Sequence, residues 1–263
     1  MKNNSLNLTK FSKMTFKKHI PNLITLLNLL SGTIAVLFAV HNDLVMATYF
    51  VFLGIVFDFF DGFVARILNV QGELGKQLDS LADVVTSGVV PGIVMYQLLF
   101  NALHKQWFNN LSCEIGNWKT FNEFHLHWIP FIGLLITLAA AYRLAKFNID
   151  ERQTSSFIGL PTPAAALVVL SLPLILTFSF NEFANNMIGS VWFLIGLTVL
   201  LSYLMNAEIP LFSLKFKDYS WKNNKVKFVF IALTVVLSFL LQFIAIPIVI
   251  AVYILISLVT KNK

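Results

Sequence analysis

DFFDGFVARILNVQGELGKQLDSLAD, residues 58–83, sets four aspartates and an arginine in and beside segments that otherwise look built for lipid. On a helix, Asp58, Asp61, Gly62 and Ala65 fall at i, i+3, i+4 and i+7, so two carboxylates and two small residues share one face. A turn through Asn69 and Gly72 follows. Beyond it, Gly75, Asp79 and Asp83 recur at i, i+4 and i+8 and form a second stripe. The short connection makes the two helices antiparallel neighbours, which brings both stripes to one cavity.

Ionised carboxylates at membrane depth are costly, and like charges crowded together need cations. Hard divalent ions with oxygen ligands, Mg²⁺ or Mn²⁺, are the natural counter-charge, and paired ions are suited to phosphoryl chemistry. Gly62, Ala65 and Gly75 leave room beside the carboxylates for a bulky ligand. Helix capping, or pairing with Arg66 and Lys76, would account for one such aspartate more easily than for four in matched stripes. An ion or proton pathway is the rival from another class, since intramembrane carboxylates mark those too. It leaves the glycines and Arg66 unexplained.

The whole chain suits this setting. Of its 263 residues, 57% are hydrophobic and 12% charged, against about 25% charged in soluble proteins, and the mean hydropathy is +0.75. Apolar runs long enough to cross a bilayer core fall near 21–41, 44–67, 75–101, 127–147, 160–180, 187–206, 226–243 and 245–259. The reading is an all-α polytopic membrane bundle of about eight helices. Seven is the alternative, because QFIAIP (242–247) suits either a tight turn or a proline kink. Residues 1–20 read as a basic tail, 21–206 as the membrane domain, and 207–263 as a basic loop followed by the last helix pair.

With the N-terminus inside, seventeen of the nineteen Lys and Arg residues fall on the inner side, and only Lys105 and Lys119 on the outer. That asymmetry predicts a multi-pass cell-membrane protein with both termini and the aspartate stretch cytoplasmic. The net charge of +6 then reflects topology and contact with anionic membrane lipids rather than nucleic acid. Cys113, the one cysteine, excludes a disulfide framework within the chain. It sits in the longest outer loop, 103–126. Trp107, Trp118 and Trp128 suit an outer interfacial belt, and the five histidines are scattered over both sides.

Asp58, Asp61, Gly62, Ala65, Arg66, Gly75, Asp79 and Asp83 match D-x-x-D-G-x-x-A-R-x8-G-x-x-x-D-x-x-x-D at every specified position, and the chain resembles the CDP-alcohol phosphatidyltransferases in this respect. The resemblance implies a six-helix core followed here by two more helices, and an enzyme that moves a phosphatidyl group from a CDP-linked lipid to an alcohol, releasing CMP. It implies a two-metal site on Asp58, Asp61 and Asp79. Asp83, beside them, is read both as a fourth metal-site carboxylate and as the proposed base. It places Gly62, Ala65, Arg66 and Gly75 beside the nucleotide and its phosphates, and it implies a homodimer. Asn22 and Thr25 either reach the CDP-lipid or cap the first helix. Membrane prenyltransferases also carry DxxD motifs, but the A-R pair and the second half of the pattern are not expected there.

Neighbouring segments bear on the acceptor. IPNLITLLNLLSGTIAV (20–36), SLADVVTSGVVPG (80–92), YRLAKFNI (142–149) and FIGLPTPAAA (157–166) resemble the membrane-embedded phosphatidylserine synthase branch. Enzymes that use glycerol phosphate more often have arginine where this chain has Asn28, and lysine where it has Val84. The resemblance therefore implies L-serine as acceptor and CDP-diacylglycerol as donor, with glycerol 3-phosphate or inositol phosphate as the alternatives. Serine needs a cation for its carboxylate, and Arg143, Lys146 and Asn148 supply candidates, Arg143 first because guanidinium pairs bidentately. Plain anchoring at a cytoplasmic helix end accounts equally well for Arg143 and better for Lys146. Pro161 and Pro163 mark the start of the fifth apolar helix.

Overall fold

The computed structural model describes residues 2–104, 128–150, 157–211 and 221–260. Cys113, Trp107, Trp118, His125, Lys105 and Lys119 of the expected outer loop, and His127 next to it, lie outside the described residues. So do Arg152, Lys215, Lys217, Lys261 and Lys263.

Among the described residues the chain is almost wholly helical: α1 (Lys2–Val40), α2 (Leu44–Leu68), α3 (Glu73–Asp83), α4 (Val90–His104), α5 (Leu135–Ile149), α6 (Thr162–Phe178), α7 (Glu182–Ile188), α8 (Val191–Asn206), α9 (Trp221–Leu241) and α10 (Ala245–Thr260). A π-helical turn, Val84–Val89, joins α3 to α4, and a 3₁₀ turn, Ile129–Leu134, leads into α5. The all-α polytopic expectation holds. Five helical stretches are long and apolar enough to cross a membrane, and a sixth forms if α7 and α8, bent by 73°, count as one. α6 is shorter, 17 residues or about 26 Å, yet most of it is buried between its neighbours.

The stretch Asn224–Val259 passes the length test as one span, but it is a hairpin. Gln242 takes a left-handed φ of 50° inside a 3₁₀ turn, Gln242–Ile244. Phe230 of α9 packs on Tyr253 of α10 with ring centroids 5.8 Å apart, and Lys225 lines the same groove as Val259. QFIAIP is therefore a turn between two helices, which gives eight apolar helical segments among the described residues.

Two differences from the sequence reading concern boundaries. Residues 2–20, expected as a tail, continue α1 without a break, and Pro21 lies inside the helix. Asn22 and Thr25 consequently cap nothing. The third apolar run is a single path from Glu73 to His104 with the π turn inside it, one extra residue per turn that no periodicity announced.

Polar bonds at helix ends set the register of the bundle. Asn42 adopts φ 61° between α1 and α2, Asp43 Oδ1 accepts from the Met46 amide at 3.1 Å as the N-cap of α2, and Asn101 Nδ2 donates to Asn42 Oδ1 at 3.0 Å. At the other end, strand β1 (Phe157–Ile158) pairs antiparallel with β2 (Pro210–Leu211), a two-residue ladder that the sequence did not suggest. Gly159 follows β1 with φ 73°, and a Cβ there would sit 2.5 Å from the Met205 carbonyl oxygen. Only glycine fits. α6 then starts with Pro161 at its N-cap and Pro163 in its first turn, as expected. The core lies where α4 and α6 meet α5 and α8, around Val94, Met95, Leu98, Ile136, Ala165, Val169, Leu170, Leu194 and Leu201.

Candidate active site

α2 ends in a left-handed cap. Asn69 takes φ 53° and its amide donates to the Arg66 carbonyl at 3.2 Å, while the Val70 amide donates to Ala65 O at 3.1 Å. Those bonds satisfy the last carbonyls of the helix and reverse the chain within Asn69–Gly72, so α3 starts beside the helix it just left. α1 packs along both. The two aspartate stripes therefore meet as their spacing predicts, but α2 and α3 do so as neighbours of α1 and not by packing directly on each other.

Asp58, Asp61 and Asp79 each bring a carboxylate oxygen to within 4.8 Å of the others. Asp61 is buried at 5% exposure and accepts a hydrogen bond from Thr25 Oγ1, which reaches across from α1. Asp83 is an electrostatic neighbour of Asp58 and Asp79 but stands outside that close group of three. At 4.8 Å and an effective dielectric of about 20, each ionised pair repels by roughly 3.5 kcal/mol. Such a cluster is stable as carboxylates only with positive charge among them. An all-oxygen donor set of this size suits a hard divalent cation.

On one side of the triad opens a cavity of about 660 Å³, within the range of small-molecule and cofactor sites. Its lining includes Asp61 and Asp79 together with Asn22, Thr25, Gly62, Ala65, Arg66 and Gly75, all six residues read from the sequence as CDP-lipid contacts. Arg66 Nε donates to the Gly62 carbonyl at 2.9 Å, which folds the guanidinium back along the wall of the cavity. A Cβ on Gly75 would lie 3.4 Å from Asn22 Oδ1. Lys76 and His19 also line the cavity, cationic or cation-capable groups that carried no motif signal.

The three residues proposed to meet serine part company. Arg143 is 7% exposed, its Nε has no hydrogen-bond partner, and it faces Asp83. Lys146 Nζ is 3.5 Å from Glu208 Oε1 in an exposed ion pair. Asn148 Nδ2 donates to Ser80 Oγ at 2.8 Å, and its carbonyl accepts from Lys76 Nζ at 3.1 Å. Lys146 and Asn148 thus tie α5 to its neighbours, and Arg143 alone of the three is left with donors directed at the carboxylates.

The sequence reading used Asn28 only as a departure from the glycerol-phosphate pattern, and it passed over Thr86. Both are buried, at 0% and 1% exposure, and Thr86 Oγ1 lies 2.8 Å from Asn28 Oδ1. The signal was present as two polar residues inside apolar runs, but nothing in the spacing indicated that 58 residues of chain separate partners.

Comparison with known proteins places this arrangement. The family model described as CDP-alcohol phosphatidyltransferase matches residues 18–204, from the end of the basic segment into α8, and leaves the α9–α10 hairpin outside. The CDP-diacylglycerol–serine O-phosphatidyltransferase of Bacillus subtilis is 33% identical over 195 residues, 73% of this chain and 88% of that protein. The protein of the same name from Helicobacter pylori is 32% identical over 222 residues, 82% of this chain and 80% of its own. An archaetidylserine synthase from Methanothermobacter thermautotrophicus is 32% identical over 162 residues, 60% of this chain and 59% of that protein.

Proposed function

The chain belongs to the CDP-alcohol phosphatidyltransferase family, and from that premise we propose that it transfers the phosphatidyl group of CDP-diacylglycerol to the hydroxyl of L-serine, giving phosphatidylserine and CMP. The observation that carries the chemistry is the Asp58, Asp61 and Asp79 triad on the rim of a cavity large enough for a nucleotide. Support for serine comes from relatives named for that acceptor across most of this chain.

Asp58, Asp61 and Asp79 would hold two divalent ions, Mg²⁺ or Mn²⁺. Bound there, the ions supply charge neutralisation at the pyrophosphate and at the departing CMP. Arg66, with the small residues Gly62, Ala65 and Gly75, receives the nucleotide and its phosphates, with Asn22 and Thr25 at the same wall. Thr25 also holds Asp61 in place through its hydroxyl. Arg143 takes the serine carboxylate, and Asp83 takes the proton of the serine hydroxyl. The serine oxygen bonds to the lipid-side phosphorus, the bond from that phosphorus to the CMP oxygen breaks, and CMP leaves with the electron pair.

The Lys and Arg asymmetry of the loops supports a cell-membrane location with this cavity and both termini cytoplasmic, and the family resemblance supports a homodimer. The test is purified protein with CDP-diacylglycerol, Mn²⁺ or Mg²⁺ and a panel of alcohols, following CMP. Serine-dependent release is expected. Release with glycerol 3-phosphate or inositol phosphate but not serine would refute the acceptor, and no release with any alcohol would refute the activity.

A further inference from the structure

We propose that Asn28 is a positioning residue for this reaction: its carboxamide, clamped by Thr86, directs an N–H at the Asp83 carboxylate and aims that carboxylate at the acceptor hydroxyl. The inference rests on the reading of Asp83 as the base.

Asn28 lies on α1, fully buried. Its Oδ1 lies 2.8 Å from Thr86 Oγ1, whose single proton is shared between that oxygen and the Ala82 carbonyl oxygen, also 2.8 Å away. That leaves Nδ2 buried and without a partner of regular hydrogen-bond geometry, with the Asp83 carboxylate as the acceptor it faces. An amide nitrogen shut away from water and left without an acceptor is uncommon in folded proteins. The reverse orientation would set Oδ1 against the Asp83 carboxylate, two acceptors face to face.

The surroundings are shaped for this pair. A Cβ on Gly54 of α2 would come within 2.8 Å of Asn28 Oδ1 and 2.7 Å of Thr86 Cγ2, and one on Gly32 would come within 2.9 Å of Thr86 Oγ1. Two glycines on two helices thus clear the space that the clamp occupies. Thr86 sits in the π turn that follows Asp83 directly, so the irregular backbone delivers its hydroxyl to Asn28. Asp83 has like charges at Asp58, Asp61 and Asp79 near it. The groups that offset them are Arg143 and the Asn28 amide. If Arg143 is engaged by the acceptor, Asn28 is the neutral donor that holds the carboxylate without cancelling its charge.

The experiment uses full-length protein in detergent and reads kcat and serine KM for CMP release beside the Kd for CDP-diacylglycerol with Mn²⁺. Asn28→Leu, close to isosteric, is expected to lower kcat roughly 10²-fold, the scale of a misplaced reacting group. Thr86→Val removes the clamp and is expected to lower kcat about tenfold, one ordinary hydrogen bond. Thr86→Ser keeps the hydroxyl and should restore kcat to within about threefold of wild type. The lipid Kd should stay unchanged throughout. Wild-type kcat in Asn28→Leu, a loss carried by lipid Kd, or Thr86→Ser falling as far as Thr86→Val would each overturn the proposal. If Asn28→Leu does not fold, the two Thr86 variants decide alone. Failure of the underlying reading shows separately, as wild-type protein that releases no CMP with serine.

Discussion

Replacing Asp61 by asparagine should make the metal-free protein more stable and the metal-loaded protein less so. Asp61 is repelled by two neighbours, Asp58 and Asp79, with oxygens within 4.8 Å, roughly 3.5 kcal/mol for each ionised pair at an effective dielectric of about 20. Water in the open cavity and proton uptake by the cluster absorb most of that sum, leaving an expected net gain of about 1 to 2 kcal/mol. Asparagine keeps an oxygen for the Thr25 hydroxyl, so the substitution removes charge while sparing that bond. For a chain of this size 1 kcal/mol moves Tm by about 2–4 °C, so in EDTA the variant should melt about 2 to 8 °C above wild type. Millimolar Mn²⁺ at 100 times its Kd would stabilise wild type by about 2.7 kcal/mol, and most of that gain should vanish in the variant. The order of the two melting curves therefore inverts between EDTA and Mn²⁺. Thermal unfolding in detergent under both conditions measures it. A variant that melts lower than wild type in EDTA and keeps the full Mn²⁺ shift would refute the triad as a metal site.

Asp83→Asn should abolish serine-dependent CMP release while leaving Mn²⁺-dependent binding of CDP-diacylglycerol intact, and near-normal turnover would remove Asp83 from the role of base. Arg143→Ala should raise the serine KM at least tenfold with lipid affinity unchanged, because an unpaired charge-assisted contact is lost. Lys146→Ala, which breaks an exposed pair, should move stability by under about 1 kcal/mol and leave KM alone. The orientation is tested with a membrane-impermeant thiol reagent on intact cells. Cys113 should label from outside, and a cysteine at Gln71, in a Cys113→Ser background, only after permeabilisation. The opposite pattern would invert the topology.

The amino-acid sequence alone determined the class of fold, the two carboxylate stripes and their meeting. Apolar runs of bilayer length leave a helix little alternative in lipid, and a four-residue connection between Leu68 and Glu73 keeps the two stripes close, although α2 and α3 pack on α1 and hardly on each other. Asp58, Asp61 and Asp79 were legible because their chemistry is local to two neighbouring helices. What reaches the site from elsewhere in the chain was decided only by tertiary packing. Arg143, Lys146 and Asn148 look alike as polar residues at one helix end. Packing gives Lys146 to Glu208 and Asn148 to Ser80, and it turns Arg143 toward Asp83. Asn28 and Thr86 are single polar residues in apolar helices, and their pairing depends on a π turn and on two glycines in different helices. A periodic pattern reports which face of a helix a residue occupies. Which residue waits on the facing helix depends on crossing geometry, and that becomes definite only when the whole bundle has closed around its core.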